Sequence, residues 1–148
     1  LKKIASVLLL LWTSIAMAAD ITNPQSVAGT QRVIGTLRGA NFNVATDQAI
    51  PMAVAVYQIT GIVVTNCSAS LTLAVGGFYP TTAKGGTPIV AATQIYSALT
   101  SASVLLNVTV AATPLVTRFA VTPVYLSLTT AQGSAATCDV YVIGVDLT

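Results

Sequence analysis

Histidine and glutamate are both absent from this chain, and charge of either sign is scarce: four acidic and six basic residues in 148. Each absence removes a class of chemistry. Ser-His-Asp and Cys-His devices need an imidazole as base. Hydrolytic zinc sites draw on histidine ligands. Acid–base work by a carboxylate pair would have to use Asp20, Asp47, Asp139 or Asp146. Asp139 and Asp146 are an odd number of positions apart, which sets them on opposite faces of a regular strand. Lys84, the remaining candidate base, sits among glycines in a stretch that reads as exposed, where nothing would lower its pKa. Lys84-Gly85-Gly86-Thr87 also lacks the order of a phosphate-binding loop, and no EF-hand or C-x-x-C spacing occurs. The sequence therefore argues for no catalytic residues, no cofactor and no metal, and against an enzyme.

Charged residues are 7% of the chain, where an average soluble domain has about 25%. Two of the six basic residues, Lys2 and Lys3, belong to a leader. Arg32, Arg38, Lys84 and Arg118 remain against the four aspartates, which leaves the rest of the chain near neutral. Four scattered basic residues make no basic patch, which excludes nucleic acid as the expected partner.

The leader has three parts in order. Lys2 and Lys3 form a positive start, residues 4–15 are apolar, and Ala16-Met17-Ala18 is an A-x-A cleavage signal. This is the pattern of a secretory signal peptide. Residues 4–19 are shorter than the run of about 20 that a spanning helix needs. The expected division is a signal peptide over 1–18, an extended arm over 19–30 and one domain over 31–148, with export to periplasm, extracellular space or virion surface and no stable membrane span after cleavage.

Beyond the leader, two cysteines occur, Cys67 and Cys138. Export favours an oxidising compartment, so they are the candidates for one disulfide. It would close a loop of about 70 residues and stabilise by about 4 kcal/mol on the chain-entropy account. The tripeptides Asn66-Cys67-Ser68 and Asn107-Val108-Thr109 match the glycosylation acceptor and read as chance matches.

What is plentiful is Val, Ile and Thr, which pack well on pleated surfaces. Alternation predicts strands over 31–37, 49–56, 57–65, 70–75, 87–97, 104–111, 115–121, 124–129 and 138–147. The last two read as a hairpin. About eight or nine short strands with frequent turn signals indicate an all-β fold, an antiparallel β-sandwich of jelly-roll type, after the N-terminal signal helix. In the last strand both faces are apolar: Cys138, Val140 and Val142 on one side, Tyr141, Ile143, Val145 and Leu147 on the other. Antiparallel sheets commonly keep one wet face, so this pattern points to a cover from the N-terminal arm or from another subunit.

Gly76-Gly77 and Gly85-Gly86 bracket a stretch read as a loop that carries Phe78, Tyr79 and Lys84. Exposed aromatics between flexible turns can stack on sugars; the competing reading makes Phe78 and Tyr79 core or edge-strand residues. The leading expectation is a non-enzymatic structural or interaction protein, a homo-oligomer or a subunit among others. The alternative is an exported carbohydrate-binding or adhesin-like module, with a glycan as its partner at this loop.

Three segments carry a resemblance: Gly35-Thr36-Leu37-Arg38-Gly39-Ala40-Asn41-Phe42-Asn43, Lys84-Gly85-Gly86-Thr87-Pro88-Ile89-Val90, and Tyr125-Leu126-Ser127-Leu128-Thr129-Thr130-Ala131-Gln132-Gly133. Together they resemble a group of small uncharacterised β-sandwich proteins encoded near the virion genes of tailed phages and prophages. The resemblance implies a virion-surface or capsid-associated role. The leader departs from that group's pattern and leaves open a virus assembling at a membrane, or a host protein with the same domain.

Overall fold

The computed structural model describes residues 29–120 and 123–148. The signal segment, and all of the arm except Gly29 and Thr30, lie outside the described residues. Eight strands form two antiparallel sheets: β1 (Gln31–Asn41), β2 (Gln48–Ile50), β3 (Val56–Thr65), β4 (Val75–Tyr79), β5 (Leu105–Val108), β6 (Phe119–Ala120), β7 (Val124–Thr130) and β8 (Thr137–Asp146). The first sheet runs β1-β8-β3-β5, with β6 also paired to β3; the second runs β2-β7-β4. The expected β-sandwich is therefore present.

Period-two alternation decides what lies between the sheets. Ile59, Ile62 and Val64 of β3 and Val140 and Val142 of β8 point inward, against Phe78, Leu126, Leu128 and Ile50 of the second sheet, all at most 1% exposed. Tyr96 and Phe42 meet edge to face with centroids 5.0 Å apart. The Tyr96 hydroxyl donates to the Gly76 carbonyl at 3.1 Å, which satisfies the one polar atom this ring carries into the core. At one end Gln132 knits three loops. Its side-chain oxygen accepts from the Leu73 and Ala74 amides, and its backbone N–H donates to the Phe42 carbonyl.

Several expectations are corrected. The last two strands are not a hairpin: β7 belongs to one sheet and β8 to the other, joined by residues 131–136 crossing between them. The strand expected over 70–75 is mostly loop, with Leu71 buried and Leu73 60% exposed. The strand begins instead at Val75 and runs through the two glycines that read as loop punctuation. Their conformation is ordinary; what they lack is a side chain. A Cβ on Gly77 would lie 2.9 Å from the Ala91 carbonyl oxygen and closer still to that of Val90. Residues 87–97 contribute only isolated bridges, Phe78 to Val90 and Val75 to Ile95. β2 stops at Ile50 because Pro51 has no N–H to give the ladder. In place of one strand over 115–121, a 3-10 turn (Pro114–Val116) precedes the two-residue β6.

Candidate functional site

Cys67 and Cys138 form a disulfide, both sulfurs buried, across the two central strands of the first sheet. Thr65 pairs with Asp139 at the end of the β3–β8 ladder. Asn66 then takes φ +52°, a left-handed conformation that Asn tolerates better than most residues. That turn brings Cys67 round to meet Cys138.

The three residues of the expected binding stretch are separated by the fold. Phe78 is fully buried between the sheets, and Tyr79 is 2% exposed on the opposite face of β4. An exposed aromatic pair able to stack on a sugar is therefore not what the structure presents. Of the three only Lys84 is exposed.

Tyr79 faces out of the second sheet, as does Ser127, its near neighbour on β7. Outward positions are normally wet, yet Ser127 is 1% exposed. The chain's own backbone supplies cover: residues 90 and 91 lie over Gly77, the partner of Ser127, the Ala92 carbonyl accepts from Thr129, and residues 80–88 turn back from the end of β4. This loop folds back across the sheet until the Ala83 amide donates to the Asp47 carboxylate at 2.5 Å, next to β2. Ala83 and Lys84 both take positive φ, 55° and 57°, so the loop turns tightly at the anchor. The Ala83 amide holds the Asp47 carboxyl below its usual range, helped by the Ser127 hydroxyl and the Lys84 charge against opposing burial. Burial, with the nearby Asp47 charge, raises the Tyr79 phenol. A carboxylate so engaged is a weak base; Asp47 works as an anchor for the loop.

Among the described residues the outer face of the first sheet has no such cover. Register places Tyr141, Ile143 and Val145 of β8 beside Thr36, Val33 and Gln31 of β1 and beside Val63, Gly61 and Gln58 of β3. Leu105 of β5 extends the same face beyond Thr65. Val33 and Leu105 are 48% and 56% exposed. The 3-10 turn is tied to one end by a hydrogen bond from the Gln58 amide to the Leu115 carbonyl and leaves Val116 exposed beside it.

Paired charge enters this face at one corner, while exposed Arg118 stands at the rim beside Gln58. Asp139 accepts from the Gly39 amide at 2.9 Å and from the Asn66 side chain at 3.0 Å. Arg38 lies 3.6 Å from it and stands over the Tyr141 ring, 5.9 Å from the centroid. The Asn66 side chain first, then the Gly39 amide, Arg38 and the Tyr141 hydroxyl, hold the Asp139 carboxyl low against its burial. Asp146, at the other end of β8, points between the sheets. It accepts from Arg32 at 2.5 Å and from the Thr148 amide at 3.0 Å. The Thr148 hydroxyl and amide, then Arg32, bring its pKa down to about 2.

A shallow groove of about 270 Å³ lies between β1 and residues 51–53, with the Met52 thioether over Gly35. It falls below the range of about 300–1,000 Å³ usual for small-molecule sites. Among the described residues no three His, Cys, Asp or Glu side chains come together as a metal set, and no helix is long and apolar enough to cross a membrane. Comparison with protein-family models, curated proteins and solved structures finds no match.

Sequence reasoning did not find the Asp47–Ala83 anchor. Its two ends are 36 residues apart, and the only local signal was an aspartate just before a strand.

Proposed function

We propose that this chain is an exported, non-enzymatic structural subunit of a virion surface or other extracellular assembly, built as a jelly roll. One observation carries the reading. Among the described residues, the chain's own backbone covers the outer face of its second sheet, yet the outer face of the first is apolar and open. Monomeric soluble proteins rarely expose a large contiguous apolar patch unless a partner takes it.

Strand order supports the jelly-roll part. β1, β8, β3 and β5 follow one another in one sheet. β2, β7 and β4 do so in the other, and residues 90 and 95 bridge to the free edge of β4 as a rudimentary fourth member. β1 to β4 thus alternate between the sheets, as do β7 and β8, in the manner of the two interleaved Greek keys of capsid and lectin domains. The buried disulfide is compatible with the oxidising compartments that export reaches.

The test is the solution mass of the exported, processed chain, by light scattering over a wide concentration series. A closed oligomer that persists on dilution is the expected result. A monomer at every concentration would remove the assembly reading.

A further inference from the structure

We propose that the outer face of the β1-β8-β3-β5 sheet is the seat of a second copy of this chain, packed sheet against sheet. The proposal rests on the assembly-subunit reading and names the surface it would use.

The chemistry of the face selects the occupant. Its centre is Val33, Ile143, Val145, Tyr141 and Val63, and its margin is Gln31, Gln58, Thr65 and Asn107. An apolar centre with a polar, charge-poor rim is the usual anatomy of a protein interface. The Arg38–Asp139 ion pair sits at one corner, and Arg118, just before the Phe119 that pairs with Tyr57, adds an exposed charge at the rim beside Gln58. A single further arginine makes no patch for a nucleic acid, an acidic peptide or a charged lipid surface. A neutral apolar sheet suits this face, and this chain carries one.

Size agrees. Three strands of ten or eleven residues and the four-residue β5, at about 4.8 Å spacing, make a plate of roughly 20 by 30 Å. That is about 600 Å² in projection and more once side-chain relief is followed, near the roughly 800 Å² per partner of a stable complex. Two such faces would stack at about 10 Å, the spacing of sheets within a sandwich. Tyr141, with Arg38 over its ring, supplies the residue types that most often anchor interfaces. A face that meets its own copy closes into a two-fold dimer.

The experiment compares the exported chain with two pairs of lysine variants. Val33→Lys with Leu105→Lys charges the face at two exposed positions. Leu73→Lys with Ile95→Lys charges two positions of similar exposure, 60% and 57%, in the loop before β4 and in the segment beside it. Thermal melting first confirms that both variants fold. The expected result is a dimer whose dissociation constant rises about tenfold or more in the first variant and stays unchanged in the second. A dimer indifferent to the first variant overturns the proposed face while leaving the assembly reading intact. A wild-type monomer overturns both. If that monomer resists nitration at Tyr141, read by peptide mass, until residues 19–28 are deleted, the face belongs to the chain's own arm.

Discussion

Gly61 and Gly77 hold comparable places, each on the outer face of one sheet, and their surroundings are opposite. A side chain on Gly77 would run into the backbone of residues 90 and 91, whereas one on Gly61 would meet nothing within 4 Å. The same contrast extends outward from each glycine. Around Gly77 the outward residues Ser127 and Tyr79 are polar at their tips yet buried. Around Gly61 the outward residues Ile143, Val63 and Val33 are apolar yet only partly covered. A chain that folds as a finished monomer would be expected to place its cover over the apolar face. Among the described residues the apolar face is left open, which is the arrangement the proposed subunit would need.

The sheets also differ in what holds them. The first has a covalent tie between its central strands; the second depends on close approach of a loop. Replacing both cysteines, Cys67→Ala with Cys138→Ala, should cost about 4 kcal/mol on the chain-entropy account, read from the urea midpoint. This is the largest effect expected. A loss under 1 kcal/mol would mean that the first sheet holds together without its tie. Gly77→Val comes next, at about 3 kcal/mol, because the obstruction is backbone and a well-packed site yields little. The same urea titration checks it; an unchanged midpoint would mean that residues 90–91 move aside easily and do not close the second sheet.

These two sites also show what was legible beforehand. The β8 pattern was readable because alternation is a local property: Cys138, Val140 and Val142 inward, Tyr141, Ile143 and Val145 outward, as the structure has them. The disulfide was readable because only two cysteines remain beyond the leader. Gly76-Gly77 was misread because glycine marks a loop when judged locally, whereas here it marks where another stretch of backbone passes. The approach of residue 90 to residue 77 is a tertiary fact with no local trace. For the same reason the stretch around Phe78 and Tyr79 admits both a loop reading and a core or edge-strand reading; the structure has the second, with both on β4, one facing the core and the other the outer face. The hairpin expected at the end failed because turn-rich residues 131–136 connect two sheets as readily as two neighbours.

The loop's anchor offers a subtler test. Asp47→Ala removes the acceptor of the Ala83 amide and should destabilise by about 1 kcal/mol. Limited proteolysis should then cut within residues 80–88, and resistance equal to the wild type would show that the loop is held elsewhere. Acid should act in the same direction. Asp47, Asp139 and Asp146 all have folded pKa values below the usual one near 3.8, Asp146 at about 2. The stability they contribute is complete above the unfolded pKa of about 3.9 and is lost as pH falls through the folded values. The melting temperature should therefore be level from neutrality to about pH 5 and decline from about pH 4 toward pH 2. A melting temperature that rises over that lower interval would contradict the carboxylate contacts described.

The smallest expected effect lies on the open face. Gly61→Val adds a branched side chain to a central strand at a position with no neighbour within 4 Å of the new Cβ. β-branched residues suit pleated surfaces, and surface changes of this kind usually stay within about 0.5 kcal/mol. The urea midpoint of the folded chain should hardly move. A loss approaching that of Gly77→Val would mean that the face is already packed by the chain itself and would remove the contrast from which the assembly reading starts. Unchanged folding with altered association would locate the new side chain between copies. Two glycines thus separate the outer faces by one substitution each: one touches the chain's own backbone, the other only what arrives from outside.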